Sequence, residues 1–230
     1  MTAPTATTIE ALRRRVEALP GKKQHANLVT ALRSHGNSVT EARNTLSLAV
    51  DTARHVVVVV GDTIPKLIEA RKRALSIARR LRKNLSAKIE AVADAKTEEA
   101  VIELKERARA AAKSVQEAWR TGLDSSMGGY RQIIEVASNA NLSGARALLI
   151  KLDALASAEP PIDARGAEDV LARLSALRDA VGTLGLEGTV GRFLAAAVNN
   201  GAGAKELLTP EVQAFLTAHN LWGRLAVTLR

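Results

Sequence analysis

Cysteine is absent from all 230 residues. That excludes disulfides, thiolate metal sites, iron–sulfur clusters and a cysteine nucleophile. Aromatic residues are nearly absent: Trp119, Trp222, Tyr130, Phe193 and Phe215 make up 2% of the chain. Five scattered rings give no stacking platform for single-stranded nucleic acid, and their scarcity argues against an aromatic-rich sandwich or barrel. No apolar run approaches the ~20 residues that span a bilayer. Met1–Thr8 has no apolar core of a secretory signal. A soluble, cytoplasmic protein is the expectation. Fixed-period repeats and low-complexity segments are also missing.

What the chain has is alanine, 42 residues of it, within an apolar fraction of 47%. That composition suits close helix packing. Nearly every segment follows a 3.5–3.6-residue period. The sequence therefore predicts an all-α fold with no central sheet. Its main part is a long antiparallel, coiled-coil-like hairpin or bundle, followed by a small C-terminal helical domain.

The expected organisation has three parts: an N-terminal helical arm over 1–38, a long helical body over 39–158, and a small helical domain over 162–230. In the arm, Ile9–Leu19 and Gln24–Ser34 read as helices, and Gly36-Asn37-Ser38 reads as a break. From Val39 the apolar positions Ala42, Leu46, Ala49, Ala53, Val56 and Val60 follow steps of three and four, a seam of about three heptads. Val56–Val60 reads as helix in phase with that seam and not as a strand. Gly61-Asp62-Thr63 with Pro65 marks a stop and restart. The next helix is expected over Ile64–Ala93, with a turn over Asp94–Glu99. A further seam (Val101, Leu104, Ala108, Ala111, Val115, Ala118) leads to a break spanning Asp124-Ser125-Ser126 and Gly128-Gly129. Helices are then expected near Tyr130–Ala140, Ser143–Ala156, Ala167–Leu184, Leu186–Asn199 and Pro210–His219, and a short strand over Arg224–Arg230. Thr209 and Pro210 form a strong helix start, and Ala158-Glu159-Pro160-Pro161 is the best linker.

The net charge is +9, and its distribution is uneven. Residues 66–88 carry nine bases and one acid, Glu69, so one 23-residue window supplies +8. Clustered charge of this kind, more than a high pI, creates a binding field. On a helical wheel, Leu67, Ala70, Ala74, Ile77, Ala78, Leu81 and Leu85 occupy an arc of about 100° suited to a core. Most of the bases fill the remainder. Ile68 and Leu75 fall outside the core arc and imply a second contact surface. With a hairpin tip at Ala95–Lys96, facing positions total about 191, so Lys88 faces Glu103. Arg71–Lys83 then faces 108–124, which is itself net +1 and cannot neutralise the block.

The candidate nucleic-acid-binding residues are therefore Arg71, Lys72, Arg73, Arg79, Arg80, Arg82 and Lys83, with Arg13, Arg14 and Arg15 as a second site. The expected contact is with phosphate, on duplex DNA, without sequence reading. The helix lacks the Asn/Gln pattern of a base reader, having only Asn84 near its end.

Other candidates give way to ordinary structural roles. His25, His35, His55 and His219 have no neighbours at metal-ligand spacing. Glu99, Glu103 and Glu106 form a ladder on one helix face, better explained by salt bridging to Lys88 than by a divalent ion. Gly182, Gly185, Gly188 and Gly191, and Gly201 and Gly203 before Lys205, match no phosphate-binding fingerprint. No G-x-S-x-G is present. The expectation is a non-enzymatic protein with no catalytic residues, cofactor or metal. It would act as a scaffold or complex subunit on nucleic acid. The alternative is an adaptor that docks partner-protein helices, including an accessory subunit of a bacterial multi-protein system such as phage defence. A homo-oligomer is compatible with the sequence, and a parallel dimer is the expectation if residues 64–122 form one unbroken helix.

Overall fold

The computed structural model describes Ala11, Arg14 and residues 22–87, 89–198 and 208–224. These residues hold seven α-helices and two 3-10 turns, with no strand among them. The helices are α1 (Lys22–Val60), α2 (Pro65–Ala87), α3 (Ala95–Asn139), α4 (Ala145–Ala156), α5 (Ala164–Thr183), α6 (Gly188–Val198) and α7 (Pro210–Ala218). The 3-10 turns are Ile89–Ala93 and Trp222–Arg224. The all-α class follows directly, and no described helix is long and apolar enough to cross a membrane.

The chain clusters into two compact units, residues 1–118 and 119–230, divided within α3. The sequence expectation divides it instead near 158–162. In the first unit, α1, α2 and the start of α3 share a core. Val39 and Ala42 meet Ala74, Ile77 and Leu81 of α2 and Ala100, Val101, Leu104 and Ala108 of α3. Leu32, Leu85 and Val92 close one end of it. All seven of the apolar positions assigned to the α2 stripe are buried or half-buried.

Three sequence expectations are corrected here. Gly36-Asn37-Ser38 does not break the first stretch, because α1 runs through it without interruption. Leu32, Val39 and Ala42 around it are buried. A helix-interior glycine costs only about 1 kcal/mol against alanine, less than burying one such side chain returns. The same reasoning applies to Asp124–Gly129, which lies inside α3 between buried Leu123, Met127 and Ile134. The expected helix over Tyr130–Ala140 is the end of α3.

The third correction concerns the α2–α3 turn. It lies at Ile89–Asp94, not at Asp94–Glu99. Val92 is 1% exposed, so its apolar character serves the end of the core and does not extend α2. Thr97 Oγ1 donates to the Ala91 carbonyl at 2.6 Å, and the Thr97 and Glu98 amides donate to the Asp94 carbonyl. The polar run is therefore the first turn of α3, where carboxylates favour the positive end of the helix dipole.

In the second unit Trp119, 1% exposed, donates its indole N–H to the Ala158 carbonyl at 2.7 Å. Arg131 of α3 pairs with Asp153 of α4 at 3.0 Å. Asp163 caps α5 by accepting the Gly166 amide at 2.7 Å. Gly185 takes φ +64, and the Leu186 amide returns to the Val181 carbonyl to end the helix. Thr209 accepts the Val212 amide with Pro210 in the first turn of α7, as the sequence predicts. Arg224 closes the 3-10 turn at Trp222–Arg224. The rest of the strand expected over Arg224–Arg230 lies outside the described residues, as does nearly all of the helix expected over Ile9–Leu19.

Candidate nucleic-acid interface

α2 begins at Pro65, in the first turn, where its missing N–H costs nothing. Its apolar stripe faces the core, so the bases of the same helix are forced outward. Arg71, Lys72, Arg73, Arg79, Arg80, Arg82 and Lys83 are all exposed.

The ion pairs sort these bases into two rows. Arg80 pairs with Glu103 at 3.0 Å, and Lys66 pairs with Glu117 at 3.5 Å. Both pairs total 183 in residue number, which sets the α2–α3 register and makes the two helices antiparallel neighbours. The tip thus lies four residues earlier than the sequence expectation, because Ile89–Ala93 leaves the helix. Glu103 consequently meets Arg80, whereas Lys88 lies outside the described residues. Arg73 pairs along its own helix with Glu69.

The other five bases, Arg71, Lys72, Arg79, Arg82 and Lys83, have no ion-pair partner among the described residues. At 100° per residue they occupy an arc of about 120° on the side of α2 away from its core stripe. No acid falls in that arc. Arg71 and Lys83 stand about 18 Å apart along the axis, from twelve rises of 1.5 Å. The structure thus separates an outer row, without ion pairs among the described residues, from an α3-facing row of Lys66, Arg73 and Arg80, a distinction that needs the register. Ile68, 50% exposed, and half-buried Leu75 lie in the same outer arc.

Arg14 is exposed in helical conformation, while Arg13 and Arg15 lie outside the described residues. His35 and His55 are half-buried, and His219 is exposed with its ring 4.6 Å from that of Phe215. The His25 side chain lies outside the described set. No group of three or more metal-ligating side chains occurs among the described residues. Glu103 of the acidic ladder is engaged by Arg80.

Sequence reasoning missed a groove of about 270 Å³ between α2 and α3, whose wall includes Arg107 and Lys113. The seven-residue spacing of Lys66, Arg73 and Arg80 is its trace in the sequence, and that spacing locates no groove until the α2–α3 register is known. No protein-family model matches the chain, and no curated protein or solved structure is significantly similar to it.

Proposed function

We propose that the protein is a non-enzymatic helical scaffold or complex subunit that contacts the phosphate backbone of duplex nucleic acid through the outer face of α2. The observation that carries this reading is the row of five exposed bases with no ion-pair partner among the described residues. Five cations on one third of a helix repel one another, and a polyanion relieves that repulsion while releasing its own counterions. Across about 18 Å of B-DNA a protein passes roughly ten phosphates, at one charge per ~1.7 Å. The arc allows three or four of the five bases to meet phosphate at once. Contacts of this kind position a protein on DNA without reading sequence.

The test is a quadruple variant, Lys72, Arg79, Arg82 and Lys83 to Gln, chosen from the unpaired row. Helicity should stay unchanged, since Gln is a comparable helix former. Affinity for random duplex at low salt should fall tenfold or more. A wild-type protein that ignores duplex, or a quadruple variant that binds as well as wild type, defeats the proposal.

A second reading has its own observation. Ile68 and Leu75 interrupt the basic face with apolar surface, which suits a partner-protein helix carrying acids around an apolar stripe. Under that reading Ile68→Ser abolishes partner binding, and duplex has no measurable affinity for the wild-type chain.

A further inference from the structure

Lys66, Arg73 and Arg80 recur at seven-residue intervals along the flank of α2 that faces α3, about 10.5 Å apart. The facing positions on α3, read from the register fixed by the two ion pairs, are 117, 110 and 103. Glu117 answers Lys66 and Glu103 answers Arg80. Position 110 is alanine, and it is exposed. The middle rung of the ladder therefore has a base and no acid.

The open groove lies at this rung, and Arg73 and Ala110 both line it. Its charge is unbalanced. Lys66, Arg73, Arg107 and Lys113 bring four cations to it, and only Glu69 and Glu117 bring carboxylates. Glu117 is shared between Lys66 and Lys113, the latter at 3.7 Å. Glu69 is taken by Arg73. Arg107 has no ion pair among the described residues, and its Nε is buried there without a hydrogen-bond acceptor. A buried donor left unmatched is costly, the more so when charged, so an acceptor is lacking around Arg107, on the wall of the groove.

We infer that this groove is an oxyanion site for a phosphate group, seated where the missing carboxylate of the middle rung would lie. Arg73 and Arg107 bring guanidinium groups to the groove walls and Lys66 and Lys113 bring ammonium groups, and a guanidinium's planar fork of N–H donors matches two phosphate oxygens. The groove sits just below the usual 300–1,000 Å³ of small-molecule pockets, which suits a phosphate with a small substituent. The inference rests on the α2–α3 flank alone and is independent of the outer basic row.

The experiment is calorimetric titration of the full chain with inorganic phosphate, in chloride buffer at fixed ionic strength. The expected Kd is on the order of 1 mM. Ala110→Glu supplies the missing carboxylate from within. It should weaken phosphate binding at least tenfold while holding or raising the thermal midpoint, because the new acid meets unbalanced cations. Arg107→Gln should weaken binding by a similar factor, and it decides the matter if Ala110→Glu fails to fold.

Duplex titration of Ala110→Glu then distinguishes the source of the phosphate. A reduced duplex affinity assigns the site to a backbone phosphodiester, and an unchanged affinity assigns it to a small phosphorylated ligand. Absence of phosphate binding by wild type at tens of millimolar, or undiminished binding by Arg107→Gln and by a folded Ala110→Glu, would overturn the inference.

Discussion

Glu41 on α1 accepts a hydrogen bond from Lys105 of α3 at 2.9 Å and lies 3.8 Å from Arg109. The hydrogen bond and charge of Lys105, aided by Arg109, hold its carboxyl below the usual carboxylate pKa. A lowered pKa means that the folded state prefers the ionised form. Its stabilisation is present above the unfolded carboxylate value and is lost as pH falls through the lower folded value. Glu41→Gln should therefore be mildly less stable than wild type in urea at pH 7, and the difference should shrink as pH falls below the usual carboxylate range. An equal gap at pH 7 and below that range would contradict this. Trp119 offers a sharper change in the second unit. Trp119→Phe removes the indole N–H and strands the Ala158 carbonyl, which should cost about 1–3 kcal/mol. Unfolding followed by far-UV circular dichroism checks it, since the reporter is then not the deleted residue.

At the scale of elements, glycine separates permissive positions from constrained ones. Gly128 and Gly129 lie inside α3, and a Cβ at either would meet nothing within 4 Å. Each should gain about 0.5–1 kcal/mol on change to alanine, visible as a raised thermal midpoint. Gly191 in α6 is the opposite case. A Cβ there would collide with the Leu186 carbonyl oxygen and press on Ile133 Cδ1 at 3.1 Å, so Gly191→Ala should destabilise. The apolar seams of α1, α2 and α3 were legible in the sequence because burial on a helix repeats every three or four residues. Ala42, Ala49, Ala53 and Val56 are buried where that spacing places them. The helix ends were less legible. Gly36-Asn37-Ser38 and Asp124–Gly129 look like breaks by local propensity, and packing overrides them. Val92 looked like an extension of α2, and it caps the core from a 3-10 turn. The cationic groove was not legible, because Ala110 stands out as a vacancy only once Lys66–Glu117 and Arg80–Glu103 fix the register.

At the scale of the molecule, the second unit includes the end of α3. A Cβ at Gly144 would touch Leu184, and one at Gly191 would meet Ile133, so residues before Pro160 pack against residues after it. A fragment of residues 162–230 should be poorly folded, whereas residues 119–230 should unfold cooperatively in urea. A cooperative transition for the shorter piece would favour the division at Glu159–Pro160 that the sequence predicts. The central claim concerns the outer row of α2, and its most direct test is wild-type affinity for a random-sequence duplex over a salt series. Three or four phosphate contacts predict a log–log slope of about −3, at ~0.9 per neutralised phosphate. The quadruple Gln variant should flatten that slope by about one unit per lost contact. A slope near zero for wild type, or no binding at low salt, would contradict the account and leave the basic face to a protein partner.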